Sequence, residues 1–206
     1  MKHGVVPCIG HSDATYEDVL RAYEHGAVCL THFYSAMSTI TRRDGYRIPG
    51  VVEAGYLIDG LHLEVIADGS HIPPTLLSMI CKLKGMDNIL LVTDAMRGAD
   101  MPVGPSLLGR KGEGLACIIE DGIAKLPDRT AFAGSVATAD RLVRTMVQKV
   151  GLPLPEAVAM MTFHPAKLLG PTHKGSIDIG YDADLVFFDE NIVPKTVMVS
   201  GQIVME

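Results

Sequence analysis

Four short apolar runs, each closing on a polar residue and separated by helical stretches, restrict the fold of this 206-residue chain more than any other feature. Val5–Ile9 runs into GHSD, Ala27–Leu30 into THF, Leu63–Ala67 into DGSH and Ile89–Val92 into TDAM. Thr15–His25 reads as a helix between the first two: Val19, Ala22 and Tyr23 share a face, Thr15 and Asp18 form a capping-box pattern, and Gly26 is the stop. A helix opening at Pro73 or Pro74 and running to about Leu83 precedes the fourth run. Continuous apolar runs alternating with helices are the pattern of parallel strands buried on both faces, so the expected class is α/β. The runs end in His11, His32, His71 and Asp94. In a (β/α) barrel the C-terminal strand ends form the active-site face, and the sequence matches that arrangement.

The second half has a different texture. Gly109–Ile123 predicts a β-hairpin turned at Glu120–Gly122, with the insertion lying near 109–127. Helices are expected over about Val136–Val150 and Pro155–Leu169, the second with Pro155 in its first turn. After Gly170 the text becomes short strands with turns at Asp178–Gly180 and Ser200–Gly201, the pattern of part of a small β-domain. The expected division is therefore a partial barrel over 1–170 and C-terminal β-sandwich strands over 171–206.

Composition removes several classes of function. A net charge of −6 with no basic run argues against nucleic acid or an anionic membrane surface as partner. No apolar stretch approaches the roughly 20 residues of a membrane helix. The apolar part of MKHGVVPCIG is too short for a signal peptide, so the expected compartment is the cytoplasm. Cys8, Cys29, Cys81 and Cys117 form no CxxC pair and are expected as reduced thiols in apolar surroundings, in preference to a disulfide framework or a cysteine zinc site.

Hydrolytic zinc is held by neutral imidazoles and a carboxylate with one position left for water, and a nearby carboxylate shuttles the proton. His11 and His32 could supply ligands, Asp94 the shuttle, and His71 a hydrogen bond to substrate. Singly, each has a plainer reading: a strand-end histidine as a satisfied polar residue, Asp94 as the N-cap of a following helix. Together, on four successive strands, they favour chemistry. His3, His25, His62, His164 and His173 follow no such pattern and are read as surface or structural residues.

GHSDATY, THFYSAM, the pair Pro49–Gly50, IADGSH, LVTDAM, FAGS, MMTFHPAKLLG and KGSIDIGYDADLVFFD occur in that order from about residue 3 to the end. In wording and order they resemble the N-acetylglucosamine-6-phosphate deacetylases of the amidohydrolase superfamily. The resemblance implies a TIM-like (β/α)8 metal-dependent hydrolase barrel, hydrolysis of the acetamide of N-acetylglucosamine 6-phosphate to glucosamine 6-phosphate and acetate, and a divalent metal, with zinc expected. It implies His11 and His32 as metal ligands, Asp94 as catalytic acid/base, and His71, within Asp68–His71, as a sugar contact. Ser35 and Ala36 fall where the family's NA pair meets phosphate, and Gly134–Ser135 matches its substrate-contacting turn. It further implies a homodimer in which an arginine crosses to the partner's phosphate.

The sequence departs from that pattern in three places. Ser35 replaces the usual asparagine, which alters one phosphate or sugar hydrogen bond. TRRDGYRIPG holds extra residues, so Arg47 fits the crossing arginine by distance to Pro49–Gly50 and Arg43 fits by distance from His32. The family also has roughly a further half-chain ahead of this point, with the first barrel strands and a glutamate ligand; these residues are thus expected to be about strands 5 to 8. No Glu is expected at a strand end, since Glu17, Glu24 and Glu156 fall on helices and Glu64 starts a strand. The expectation is an incomplete or split deacetylase. Alternatives are another amidohydrolase with a different amide substrate, or a non-catalytic half-barrel serving as an assembly module or remnant.

Overall fold

The structure, a computed structural model, describes residues 4–206; His3 lies outside the described residues. The chain runs β1 (Cys8–Ile9), α1 (Tyr16–Glu24), β2 (Cys29–Leu30), β3 (Thr41–Arg43), β4 (Tyr46–Ile48), α2 (Val51–Leu57), β5 (His62–Val65), α3 (Pro74–Lys84) and β6 (Ile89–Leu91). Then follow β7 (Gly104–Leu108), β8 (Leu115–Glu120), β9 (Ile123–Lys125), α4 (Ala139–Thr145), α5 (Leu154–Met161), α6 (Phe163–Leu169), β10 (Leu185–Phe188), β11 (Pro194–Val199) and β12 (Gln202–Met205).

The four apolar runs pair as one parallel sheet in the order β1-β2-β5-β6, with Cys8 opposite Cys29, Cys29 opposite His62, and Leu63 opposite Ile89. Side chains alternate along a strand, so the sheet has two unlike faces. Leu30, Leu63, Val65, Ile89 and Leu91 are buried and share one core with Val19, Val51, Leu77, Ile80, Leu142 and Met146 from the helices. Cys8, Cys29, Thr31 and Glu64 alternate with these residues and fall on the other face.

Helix α1 starts as its sequence requires. Thr15 Oγ1 accepts from the Asp18 amide at 3.3 Å, and the Thr15 amide donates to Asp18 Oδ2 at 3.0 Å. Helix α2 lies close over β2 because Gly55 has no Cβ: one built there would sit 2.7 Å from Phe33 Cε2 and 2.9 Å from Leu30 Cδ1. The β8–β9 turn falls at Asp121–Gly122 and the β11–β12 turn at Ser200–Gly201, each with two residues at positive φ, as the turn residues suggest.

Other boundaries differ from the sequence reading. The strands of the parallel sheet are shorter than the apolar runs, and Glu64 lies inside β5 instead of starting it. The β3–β4 hairpin and α2 carried too little periodicity to be read. The expected hairpin near 109–127 is a three-stranded antiparallel sheet, because β7 pairs with β8 from Gly104 onward. The helix expected from Val136 starts at Ala139 and widens into a π-turn over Met146–Val150. The helix expected over Pro155–Leu169 breaks at Thr162, whose hydroxyl donates back to Val158 O at 2.8 Å. No helix among the described residues is long and apolar enough to cross a membrane.

His164 and Lys84 are among the buried polar groups. His164 is buried with Nδ1 3.0 Å from Ile89 O, a structural role for that histidine. Lys84 is buried, donates from Nζ to Ile58 O at 2.7 Å, and has its pKa pushed down by burial to about 8. The unfolded chain holds that proton to about pH 10.4, so between about pH 8 and 10 the unfolded state binds more protons and stability rises with pH. Urea midpoints should therefore climb across that window for the parent chain, and lose that part of the slope in Lys84→Met.

Candidate active site

The C-terminal ends of the four parallel strands open onto one cleft of about 650 Å³, whose lining includes His11, His32, Ser35, His71, Asp94 and Gly134. His11 follows β1, His32 follows β2, His71 follows β5 and Asp94 follows β6. The rings of His11 and His32 are stacked, with centroids 4.6 Å apart and an interplanar angle of 30°. The backbone turns sharply at three of these positions, with φ of +43° at His11, +30° at His32 and +45° at Asp94. Non-glycine residues rarely hold that left-handed conformation, and where they do a site is often being aimed. Asp94 is exposed and no helix follows it directly, so the N-cap reading of this residue is not realised.

His32 Nδ1 is buried with no hydrogen-bond partner. An orphaned buried nitrogen of that kind costs about 1–3 kcal/mol, and a cation would offset it. The donor chemistry fits as well, since neutral imidazoles stacked at a strand-end cleft are standard divalent-metal ligands. His11 and His32 could hold such an ion. Among the described residues no third His, Cys, Asp or Glu closes a trio with them; the one trio whose ligand atoms all lie within 4.8 Å is Cys8, Cys29 and Glu64.

Asp68 and His71 form a fixed pair. The Asp68 carboxylate has no solvent exposure and accepts from the Ser70 and His71 amides at 2.8 Å each, while Oδ2 lies 2.8 Å from His71 Nδ1. Burial alone would raise the Asp68 pKa; the hydrogen bonds from the His71 ring and the two amides outweigh it and hold the carboxyl below its usual range. An ionised carboxylate only accepts, so Nδ1 carries the proton facing it and Nε2 is left for the cleft. Phe132 closes on the His71 ring edge-on at 5.2 Å.

The remaining predicted residues divide. Ser35 lines the cleft, its amide donating to His32 O at 2.9 Å. Ala36 is exposed at φ +49° and its carbonyl accepts from the Ser12 amide, outside the cleft lining. Gly134 lines the cleft at φ +105°. Ser135 is fully buried behind it, its Oγ accepting from the Ala137 amide at 3.0 Å and its carbonyl from the Met96 amide at 2.8 Å. Arg43 and Arg47 both lie on the exposed β3–β4 hairpin, on neighbouring rungs, and neither lines this chain's cleft. Sequence reasoning missed Tyr34, Met96, Leu108 and Phe132, which also line the cleft. Tyr34 follows His32 by two residues at φ +77°, and its hydroxyl lies 2.8 Å from that of Tyr56. Met96 and Phe132 lay inside quoted motifs without a chemical reason to single them out, and Leu108 sits on the unread strand β7.

The sequence profile of the Amidohydrolase family matches residues 3–204. The chain is 40% identical over 200 residues to N-acetylglucosamine-6-phosphate deacetylase of Lysinibacillus sphaericus, covering 97% of this chain and 49% of that protein. It is 34% identical to N-acetylgalactosamine-6-phosphate deacetylase of Escherichia coli O157:H7, over 95% of this chain and 49% of that one. The crystal structure of N-acetylglucosamine-6-phosphate deacetylase from Thermotoga maritima superposes with a TM-score of 0.88 at 30% identity, covering 99% of this chain and 54% of that chain. The Mycobacterium smegmatis enzyme in complex with N-acetyl-D-glucosamine-6-phosphate, at 33% identity, also gives 0.88, over 98% and 52% respectively. The chain thus spans about half the length of the relatives it matches. With a matching profile from end to end and the same fold in solved relatives, the chain belongs to the amidohydrolase family.

Proposed function

We propose that this chain carries the C-terminal half of a (β/α)8 barrel over 1–170 and strands of a β-sandwich over 171–206, and that its cleft serves hydrolysis of the acetamide of N-acetylglucosamine 6-phosphate. The observation behind this reading is the placing of His11, His32, His71 and Asp94 on the ends of four adjacent parallel strands around one cleft. A divalent cation, zinc by expectation, would lower the pKa of a bound water and polarise the acetamide carbonyl. His11 and His32 would hold it, with a carboxylate from outside these 206 residues as the third ligand. Asp94 takes the water's proton and returns it to the leaving nitrogen, a transfer worth about 10²–10⁴ in rate. His71, held by Asp68, presents Nε2 to the sugar; Ser35 meets the phosphate side and Gly134 contacts the substrate from the cleft wall, while Ala36 and Ser135, outside the cleft lining, support the turns that carry them. The exposed β3–β4 hairpin carries one arginine, Arg43 or Arg47, to the phosphate of a partner subunit in a cytoplasmic homodimer.

The Escherichia coli relative, named for N-acetylgalactosamine 6-phosphate, supports a second reading, in which the sugar is the galacto epimer. Acetate release with added zinc, measured on both N-acetylhexosamine 6-phosphates and on unphosphorylated N-acetylglucosamine, tests both readings. The chain alone is expected to release little acetate; with the third ligand supplied by another chain, release from the gluco phosphate well above the galacto and the unphosphorylated sugar is expected. Preference for the galacto epimer then moves the reading to the second sugar, and acetate from neither overturns the deacetylase reading.

A further inference from the structure

The inner face of the parallel sheet holds a cluster the proposed reaction does not use. Cys8 on β1 and Cys29 on β2 sit opposite each other in register, and Glu64 reaches over from β5. One ligand atom from each lies within 4.8 Å of the other two. Both thiols are free, but Cys8 is exposed where apolar surroundings were expected, and the two are neighbours across the sheet, which spacing in the sequence did not indicate. Cys29 is fully buried, and Glu64 is half-buried with its Oε2 accepting a short hydrogen bond from Thr31 Oγ1. Among the described residues no Lys, Arg or His pairs with that carboxylate. A half-buried carboxylate without a counter-charge is costly, and beside two thiols it makes a soft, anionic pocket. A second cavity, of about 160 Å³, is lined by Cys8 and Glu64 together with Leu90, Pro165 and Leu168.

We propose that Cys8, Cys29 and Glu64 form a binding site for one thiophilic divalent cation of the zinc and cadmium type, separate from the histidine cleft. Two thiolates and a carboxylate are a ligand set that selects such ions, and bonds of about 2.3 Å to sulfur place two sulfurs about 3.8 Å apart in a tetrahedron. The ligand atoms already lie within 4.8 Å of one another. In the empty site burial raises both thiols, with the Glu64 charge adding to the effect, so they are protonated near neutrality. Binding therefore expels two thiol protons, places two S⁻ and one carboxylate around the 2+ ion, and leaves the site with one negative charge. Affinity accordingly climbs about a hundredfold per pH unit while both thiols are protonated. The ion ties three strands together from within. Cys8 stands three residues before His11 and Cys29 three before His32, so the tie sits about 10 Å along the strands from the histidines.

The site stands or falls independently of the proposed reaction. Titrating the reduced chain with cadmium chloride should raise the ultraviolet thiolate-to-cadmium absorption and saturate at one ion per chain. Cys8→Ser and Cys29→Ser should each cut that band by half or more, Glu64→Gln should weaken binding at least tenfold, and Cys81→Ser should change nothing. In the double variant His11→Asn, His32→Asn, checked for folding by circular dichroism, the band should persist. A band that survives Cys8→Ser and Cys29→Ser, fails to form, or disappears with the histidine pair overturns the site. Loss of acetate release with the band intact would count against the deacetylase reading alone.

Discussion

Asp94→Asn should lower acetate release by about 10²–10⁴-fold while leaving the thermal melt of the chain where it was. The substitution keeps the shape of the side chain and removes only its capacity to take up and return a proton. Asparagine is also among the few residues that hold a left-handed backbone readily, so the φ of +45° at this position costs it little. Asp94 is exposed at the cleft, and a surface replacement of this kind stays within about 0.5 kcal/mol of the parent in stability. Parallel assays of acetate and unfolding separate the two quantities. Activity that survives the change would remove Asp94 from the chemistry.

The second large effect is structural. Phe33 is 1% exposed, follows His32 directly, and packs its ring on Tyr56 and against the bare backbone of Gly55 in α2. Phe33→Ala should cost about 3–5 kcal/mol, because the ring's transfer energy is lost and the rigid strand and helix on either side cannot collapse into the gap. A urea midpoint that falls by the matching amount with an unchanged m-value would bear this out. Phe33→Leu, which keeps most of the volume, should lose less than half as much. Equal losses in the two variants would mean that the ring is not filling the space its position indicates.

The parallel sheet was legible because its strands stand out as unbroken apolar runs. The strand-end residues were legible for the same reason, since each run stops on one of them. The β3–β4 hairpin was not, because Thr41–Ile48 is exposed and mostly polar, and nothing in its composition demands pairing. Helix α2 was hidden by its length of seven residues and by Gly55, which lowers helix propensity but is kept for the close approach of β2. The break at Thr162 depends on a side chain competing for a backbone carbonyl, a local contest that periodicity does not register. The meeting of Cys8, Cys29 and Glu64 depends on strand register, which no single strand carries. Of the cleft, the charged and imidazole groups were visible, whereas Tyr34, Met96, Leu108 and Phe132 supply shape, and shape belongs to the folded chain.

The left-handed turns at His11, His32 and Asp94 also act as a filter on sequence drift. A β-branched side chain at any of them pays roughly 1–2 kcal/mol in backbone strain before its chemistry is even considered. Asparagine, aspartate and glycine pass almost freely. The accessible neighbours of this site are therefore other small polar residues that can still bind a cation or relay a proton, so the backbone itself steers divergence towards altered specificity and away from an inert apolar cleft.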